Sequence, residues 1–308
     1  MRRYRKLLIF LGLFLLIAAV AGAVAYHWIR QPAKAVYLLP DGNLMAHVNF
    51  TPFHYMDLGS KTYTSNPQYQ DFVEQTGFHF EHDLDSVTLA QSSPGDVNGE
   101  VSAIFIGTFD QDRLNRYVQK QPVETETYGG KTVFSIREGT QTVRVSILDS
   151  KTVAVTTGAS TAAMHSIIDK LSGSALTPSL LQDYYGDVPF GSVAWAIVRV
   201  PGNPELRQPM GQMNLDFLQN SVTIVSVRYS GSVRFRAEFI SANQADATHV
   251  FQAVNGFVAL ARSAQGDRNT DKDVAALIDG IQLQQNGNRV VLNLVVPQDL
   301  IKKMTAKQ

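Results

Sequence analysis

His79, Glu81, His82, Asp83 and Asp85 fall within seven residues, the densest set of metal-ligating side chains in the chain. Two imidazoles and a carboxylate hold zinc or a similar ion when they converge on one point. The spacing works against that here. The pair is His-x-x-His, without the i, i+4 face of a zincin helix or its adjacent catalytic glutamate, and no third histidine motif completes the set. Between a glycine-terminated helix and a strand, such residues read as a solvated connector. No metal is therefore expected, with His79, Glu81, His82 and Asp83 as the candidate ligands should one bind.

A second group is aromatic. Phe50, Phe53, His54, Tyr55, Tyr63 and Tyr69 enrich one stretch, and its composition suits a groove for peptide, glycan or lipid. Phe53, His54, Tyr55, Tyr63 and Tyr69 are the candidate groove residues; the alternative is that these rings pack beneath a long loop. The corresponding insert in the second half carries Pro201, Pro204, Met210, Met213, Leu215 and Phe217. If both inserts cover one edge, they form a shared mouth.

Other chemistry has thin support. No glycine-x-serine-x-glycine elbow is present, and Gly158-Ala159-Ser160 lacks the final glycine, so Ser160 or Thr161 reads as a helix cap. Gly129-Gly130-Lys131 is too short for a phosphate loop and leads into a strand. No cofactor is expected. With 27 basic and 27 acidic side chains spread without blocks, nothing marks a nucleic-acid surface. The chain has no cysteine, which removes disulfides, thiolate metal sites and cysteine nucleophiles together.

The elements that must position these residues follow from periodicity and turn signals. Strands are predicted at 44–50, 85–90, 101–109, 131–136, 142–148, 152–156, 193–200, 222–229, 233–240, 281–285 and 289–296. Helices are predicted to end at Gly77, to span 110–119 and 159–171, and to run from a capping box at Ser241 and Gln244 to before Gly266. A helical turn at 274–278 and a terminal helix from Pro297 complete the set. Asn286-Gly287 is the strongest hairpin signal.

One order of elements occurs twice: opening strand, variable insert, hairpin, helix, second hairpin, short helix. Asp85-Ser86-Val87-Thr88-Leu89 meets Asn220-Ser221-Val222-Thr223-Ile224, and residues 131–139 meet 279–287. The expected fold class is therefore α+β: two similar, mostly antiparallel sheet modules with helices on one face, at 35–180 and 181–308. The chain resembles uncharacterised bacterial envelope proteins with a duplicated α+β unit. The resemblance rests on Leu39-Pro40-Asp41, on the segment from Gly77 to Val87, and on Phe109-Asp110. These are turns and caps, and the resemblance implies no activity.

Residues 1–34 are read as a basic cytoplasmic tip, one transmembrane helix and a linker. Arg2, Arg3, Arg5 and Lys6 precede an uncharged apolar run at 7–25, long enough to span a bilayer and oriented with the N-terminus inside. Ala21-Gly22-Ala23 and Ala23-Val24-Ala25 offer the competing outcome of signal-peptide cleavage and secretion. Either way the bulk, about 275 residues, is placed outside the cytoplasm. The sequence favours a membrane-tethered, non-enzymatic binding or scaffold protein, whose partner is an envelope protein or a small amphiphile. The alternatives are an extracytoplasmic hydrolase, metal-dependent through residues 79–85, and an envelope lipid or protein carrier.

Overall fold

The structure is a computed structural model that describes residues 31–54, 66–93, 99–139, 141–173, 176–200, 216–264 and 272–300. Its strands are β1 (Leu44–Asn49), β2 (Leu84–Gln91), β3 (Val101–Gly107), β4 (Val123–Tyr128), β5 (Lys131–Glu138), β6 (Gln141–Asp149), β7 (Thr152–Thr157), β8 (Ser192–Val200), β9 (Ser221–Tyr229), β10 (Val233–Ile240), β11 (Gln282–Asn286) and β12 (Arg289–Val296). The helices are α1 (Lys34–Leu38), α2 (Pro67–Thr76), α3 (Phe80–Asp83), α4 (Gln111–Gln119), α5 (Ala162–Lys170), α6 (Ser179–Tyr184), α7 (Gln244–Ala264) and α8 (Lys272–Asp279).

All the strands belong to one 12-stranded antiparallel sheet in the order β11-β12-β10-β9-β8-β1-β2-β3-β7-β6-β5-β4. This corrects the expected two sheet modules: their sheets are joined edge to edge into one. The opening strands β1 and β8 lie side by side, with Met45 opposite Ile197 and His47 opposite Trp195, so backbone ladders cross from one half to the other. The region from Ala35 to Gln308 is one compact unit, and the boundary expected at 180–181 falls inside α6. On each side of the seam an opening strand is followed outward by a hairpin, and β7 then lies beside β3 as β12 lies beside β10. The hairpin β4–β5 extends the first half only.

Strict alternation sends successive side chains to opposite faces, as in β2, where every second residue is buried. On the first face Met45, Ile104, Leu148, Ile197 and Ile224 meet Val36 and Leu39 near α1, Met164 and Ile167 from α5, and Leu180 from α6. On the opposite face Val87, Phe105, Val145 and Val153 meet Phe72 from α2, Phe78 and Leu114 from α4. Phe239, Val290 and Leu292 meet Ala247, Val250 and Val254 from α7. Helices therefore cover both faces, a second correction. Both faces of the central strands are apolar, and one helical layer would leave one of them in water.

Among the described residues no helix is long and apolar enough to cross a membrane; the run at 7–25, where the transmembrane helix is expected, lies outside the described residues. The loops expected at 201–209 and 267–271 and the helix expected beyond Leu300 also lie outside them.

Candidate functional site

Helix α2 begins where the Asn66 side chain accepts the Gln68 N–H at 2.9 Å with Pro67 at the first helical position, and it closes at Gly77, whose φ of 71° suits a residue without a Cβ. That places Tyr69 and Phe72 over α3. Tyr69 stacks on Phe80 at 5.9 Å and its hydroxyl donates to the Glu81 carboxylate. Phe72 stacks on the same ring at 5.4 Å, while Phe78 stacks on Phe109 at 4.8 Å. Burial pushes the Tyr69 hydroxyl pKa up, and its bond to Glu81 pushes it further. Burial acts to raise the Glu81 pKa, but the Tyr69 hydroxyl and the protein's own amide bonding hold it below the ordinary glutamate range.

The described candidate groove residues, Phe53, His54 and Tyr69, have separate partners. Tyr69 joins the aromatic stack, Phe53 meets Tyr229 at 6.4 Å, and His54 Nε2 lies 2.9 Å from the Leu84 carbonyl. Tyr55 and Tyr63 lie outside the described residues. In the candidate metal set, the His79 N–H donates to Asp83 at 2.7 Å and Glu81 is taken by Tyr69. Among the described residues no three His, Asp or Glu side chains gather as metal ligands would.

A cavity of about 240 Å³ opens instead on the first face, where the start of α5 meets the ends of β2 and β3. Asp41, Ser92, Glu100, Ser102 and Ser166 line it with Ala162 and Ala163. Ser102, only 2% exposed, lines it from the start of β3. The first turn of α5 contributes backbone N–H groups that no intrahelical carbonyl can take; the Ser160 hydroxyl accepts that of Ala162 at 3.1 Å. Asp41 accepts the Ser179 N–H at 2.7 Å at the start of α6, and Lys170 donates to the Leu39 carbonyl. Burial holds the Lys170 pKa below the ordinary lysine range, with Asp41 acting in the opposite sense.

Two strands across from Ser102, in the row that runs through Thr156, lies a buried cation. Arg144 is 5% exposed and donates to the carbonyls of Gly158 and Ala159 at 2.8 and 3.2 Å, fixing the approach to α5. Its Nε and the Oγ1 of its cross-strand neighbour Thr156 have no partner among the described residues. A Cβ at Gly158 would stand 2.7 Å from Glu100 Cγ, so glycine lets the wall close against that carboxylate. The site offers hydroxyls, amide donors and carboxylate acceptors. The titratable groups in its lining are the Asp41 and Glu100 carboxylates, which accept hydrogen bonds beside the serine hydroxyls. Sequence reasoning used Asp41 and Ser160 as turn and cap residues and missed Glu100, Ser102 and Arg144. A charged residue at an inward position of β6 was the available signal.

Fold and site together define an α+β protein with one continuous antiparallel sheet and a small polar cavity under a helix start. No family model matches the chain, nor does any curated protein. Two solved structures, crystal forms III and IV of TP0453, are similar to it, with TM-scores of 0.51 and 0.52 at 11% and 10% identity. They cover 89% and 90% of this chain and 99% and 98% of their own. Identity that low carries the fold and nothing about activity.

Proposed function

We propose that this chain is an exported envelope binding protein, non-enzymatic, that holds a small polar ligand in the cavity at the start of α5. The observation that carries this reading is the cavity's lining, where the Ser102 and Ser166 side chains and the Glu100 and Asp41 carboxylates meet beside the first-turn N–H groups of α5. Export is supported by Arg2, Arg3, Arg5 and Lys6 standing before the apolar run at 7–25. The mirrored strand order supports descent from a duplicated unit, with β6–β7 as the counterpart of β11–β12 in place of the pairing of 131–139 with 279–287.

Native mass spectrometry of the chain purified from its own envelope fraction tests the binding reading. A small molecule is expected on the wild type and is expected to be lost from Ala163→Trp, which fills the cavity mouth, while the variant's circular dichroism stays unchanged. A wild type that carries nothing, or a variant that keeps its cargo, would sink it. An N-terminal epitope tag separates tethering from cleavage: a tag kept on the mature protein in the membrane fraction supports the tether, and its loss supports secretion.

A further inference from the structure

The second half of the sheet carries an arrangement that the cavity does not use. On β9 and β10, Val227, Phe235 and Ala237 belong to the face over which α7 packs, so Arg228, Arg234, Arg236 and Glu238 belong to the other. There Arg234 stands directly opposite Arg228, and Arg236 directly opposite Ser226. Glu238 is 5% exposed and fully engaged: one oxygen accepts from Arg236 at 2.7 Å, the other from Arg289 at 2.8 Å, and Arg289 also binds Asp187 at 3.0 Å. Those two carboxylates balance Arg236 and Arg289. Arg228 and Arg234 have no acidic partner among the described residues, and Arg234 is exposed.

Two like charges directly opposite on neighbouring strands repel and destabilise the pair. An oxyanion between them removes that cost, and the planar guanidinium fork matches its geometry. Ser226 strengthens the case. It is 2% exposed and stands in the same cross-strand row as Arg236 on β10 and Trp195 on β8, which puts a hydroxyl donor beside the arginines. We propose that Arg228, Arg234, Arg236 and Ser226 form a phosphate-binding site, taking a phosphate monoester or diester across the β9–β10 hairpin. Two unpaired cations, with the remaining N–H groups of the Glu238-bonded Arg236 beside them, favour phosphate over a single carboxylate, because phosphate presents enough oxygens for each donor.

Calorimetric titration of the full chain with inorganic phosphate, at constant ionic strength and with chloride as control, is expected to show saturable binding. Replacing both arginines, Arg228→Gln with Arg234→Gln, is expected to weaken it at least about tenfold. In phosphate-free buffer the same double variant is expected to melt above the wild type, because the repulsion is gone. Added phosphate is expected to raise the melting temperature of the wild type and not that of the variant. Vesicles of phosphatidylcholine with phosphatidylglycerol, against phosphatidylcholine alone, identify the source. Arginine-dependent capture by the anionic vesicles assigns the phosphate to a lipid headgroup, and phosphate binding without capture assigns it to a soluble ester. Either supports the site. A wild type that neither saturates with phosphate nor is captured, or a variant that binds phosphate as tightly as the wild type, overturns it.

Discussion

At the scale of single residues, burial decides what a titratable group does, and His47 illustrates it. It stands at the middle of β1, 8% exposed, with Nδ1 2.9 Å from the Thr88 hydroxyl and its ring 6.0 Å from Trp195. Burial lowers its pKa below the ordinary value of 6.5. Above 6.5 the imidazole is neutral in both folded and unfolded chains, so its contribution does not change with pH. As pH falls through 6.5, the unfolded chain takes up a proton that the folded chain refuses, and stability declines until the folded pKa is reached. The slope in that window is at most about 1.4 kcal/mol per pH unit. Urea unfolding of the wild type and of His47→Gln between about pH 7 and pH 5 checks this. The variant is expected to lose less stability on acidification, and equal losses would show that His47 is not held neutral.

Elements are positioned by close approaches that tolerate no extra atom, and the end of β3 is the clearest. A Cβ on Gly107 would stand 2.2 Å from the Asp83 carbonyl oxygen, which accepts the Thr108 N–H at 2.8 Å. This contact turns the chain so that Phe109 reaches Phe78. Gly107→Ala is expected to cost about 1–3 kcal/mol or more, because the obstacle is backbone and cannot rotate away. Gly186→Ala, where a Cβ meets nothing within 4 Å, is expected to stay within about 0.5 kcal/mol. Comparable denaturation midpoints for the two variants would contradict this account. Such contacts are invisible to periodicity, which explains what the sequence could show. The alternating runs of β2, β9 and β10, the Asn286-Gly287 hairpin and the capped stripe of α7 were all legible. Strand β4 was not, because Glu124 and Glu126 are exposed on an edge strand where no apolar alternation is required. The short helices α1 and α6 escaped because their buried residues, Val36, Leu180 and Leu181, complete a stripe only against the sheet. The aromatic stretch was seen as rich in rings, yet which rings meet depends on α2 and α3. The cavity residues Asp41, Ser102 and Ser166 lie far apart in sequence, and only the sheet register joins them.

For the whole molecule the question is whether two similar halves behave as two bodies or one. The β1–β8 ladder gives an unbroken sheet, and the core on its first face draws Met45, Ile104 and Leu148 from one half and Trp195, Ile197 and Ile224 from the other. The α1 and α6 regions pack into that same core, through Val36, Leu39, Leu180 and Leu181. Neither half can therefore melt without exposing apolar surface on the other, and that coupling favours a single cooperative transition. Trp195 reports on the seam itself, being 4% exposed and edge-on to Tyr185 at 5.5 Å. In a Trp28→Phe background it is the one tryptophan left, since the chain holds two. Its fluorescence and the far-ultraviolet circular dichroism are expected to trace the same urea transition. Exchanging the paired Val48 for lysine, Val48→Lys, is expected to shift both curves together to lower denaturant, since a charge placed at the seam weakens both halves at once. Two separated transitions, or fluorescence that moves while the dichroism stays, would mean that each half carries its own stability and that the seam is only a contact between them.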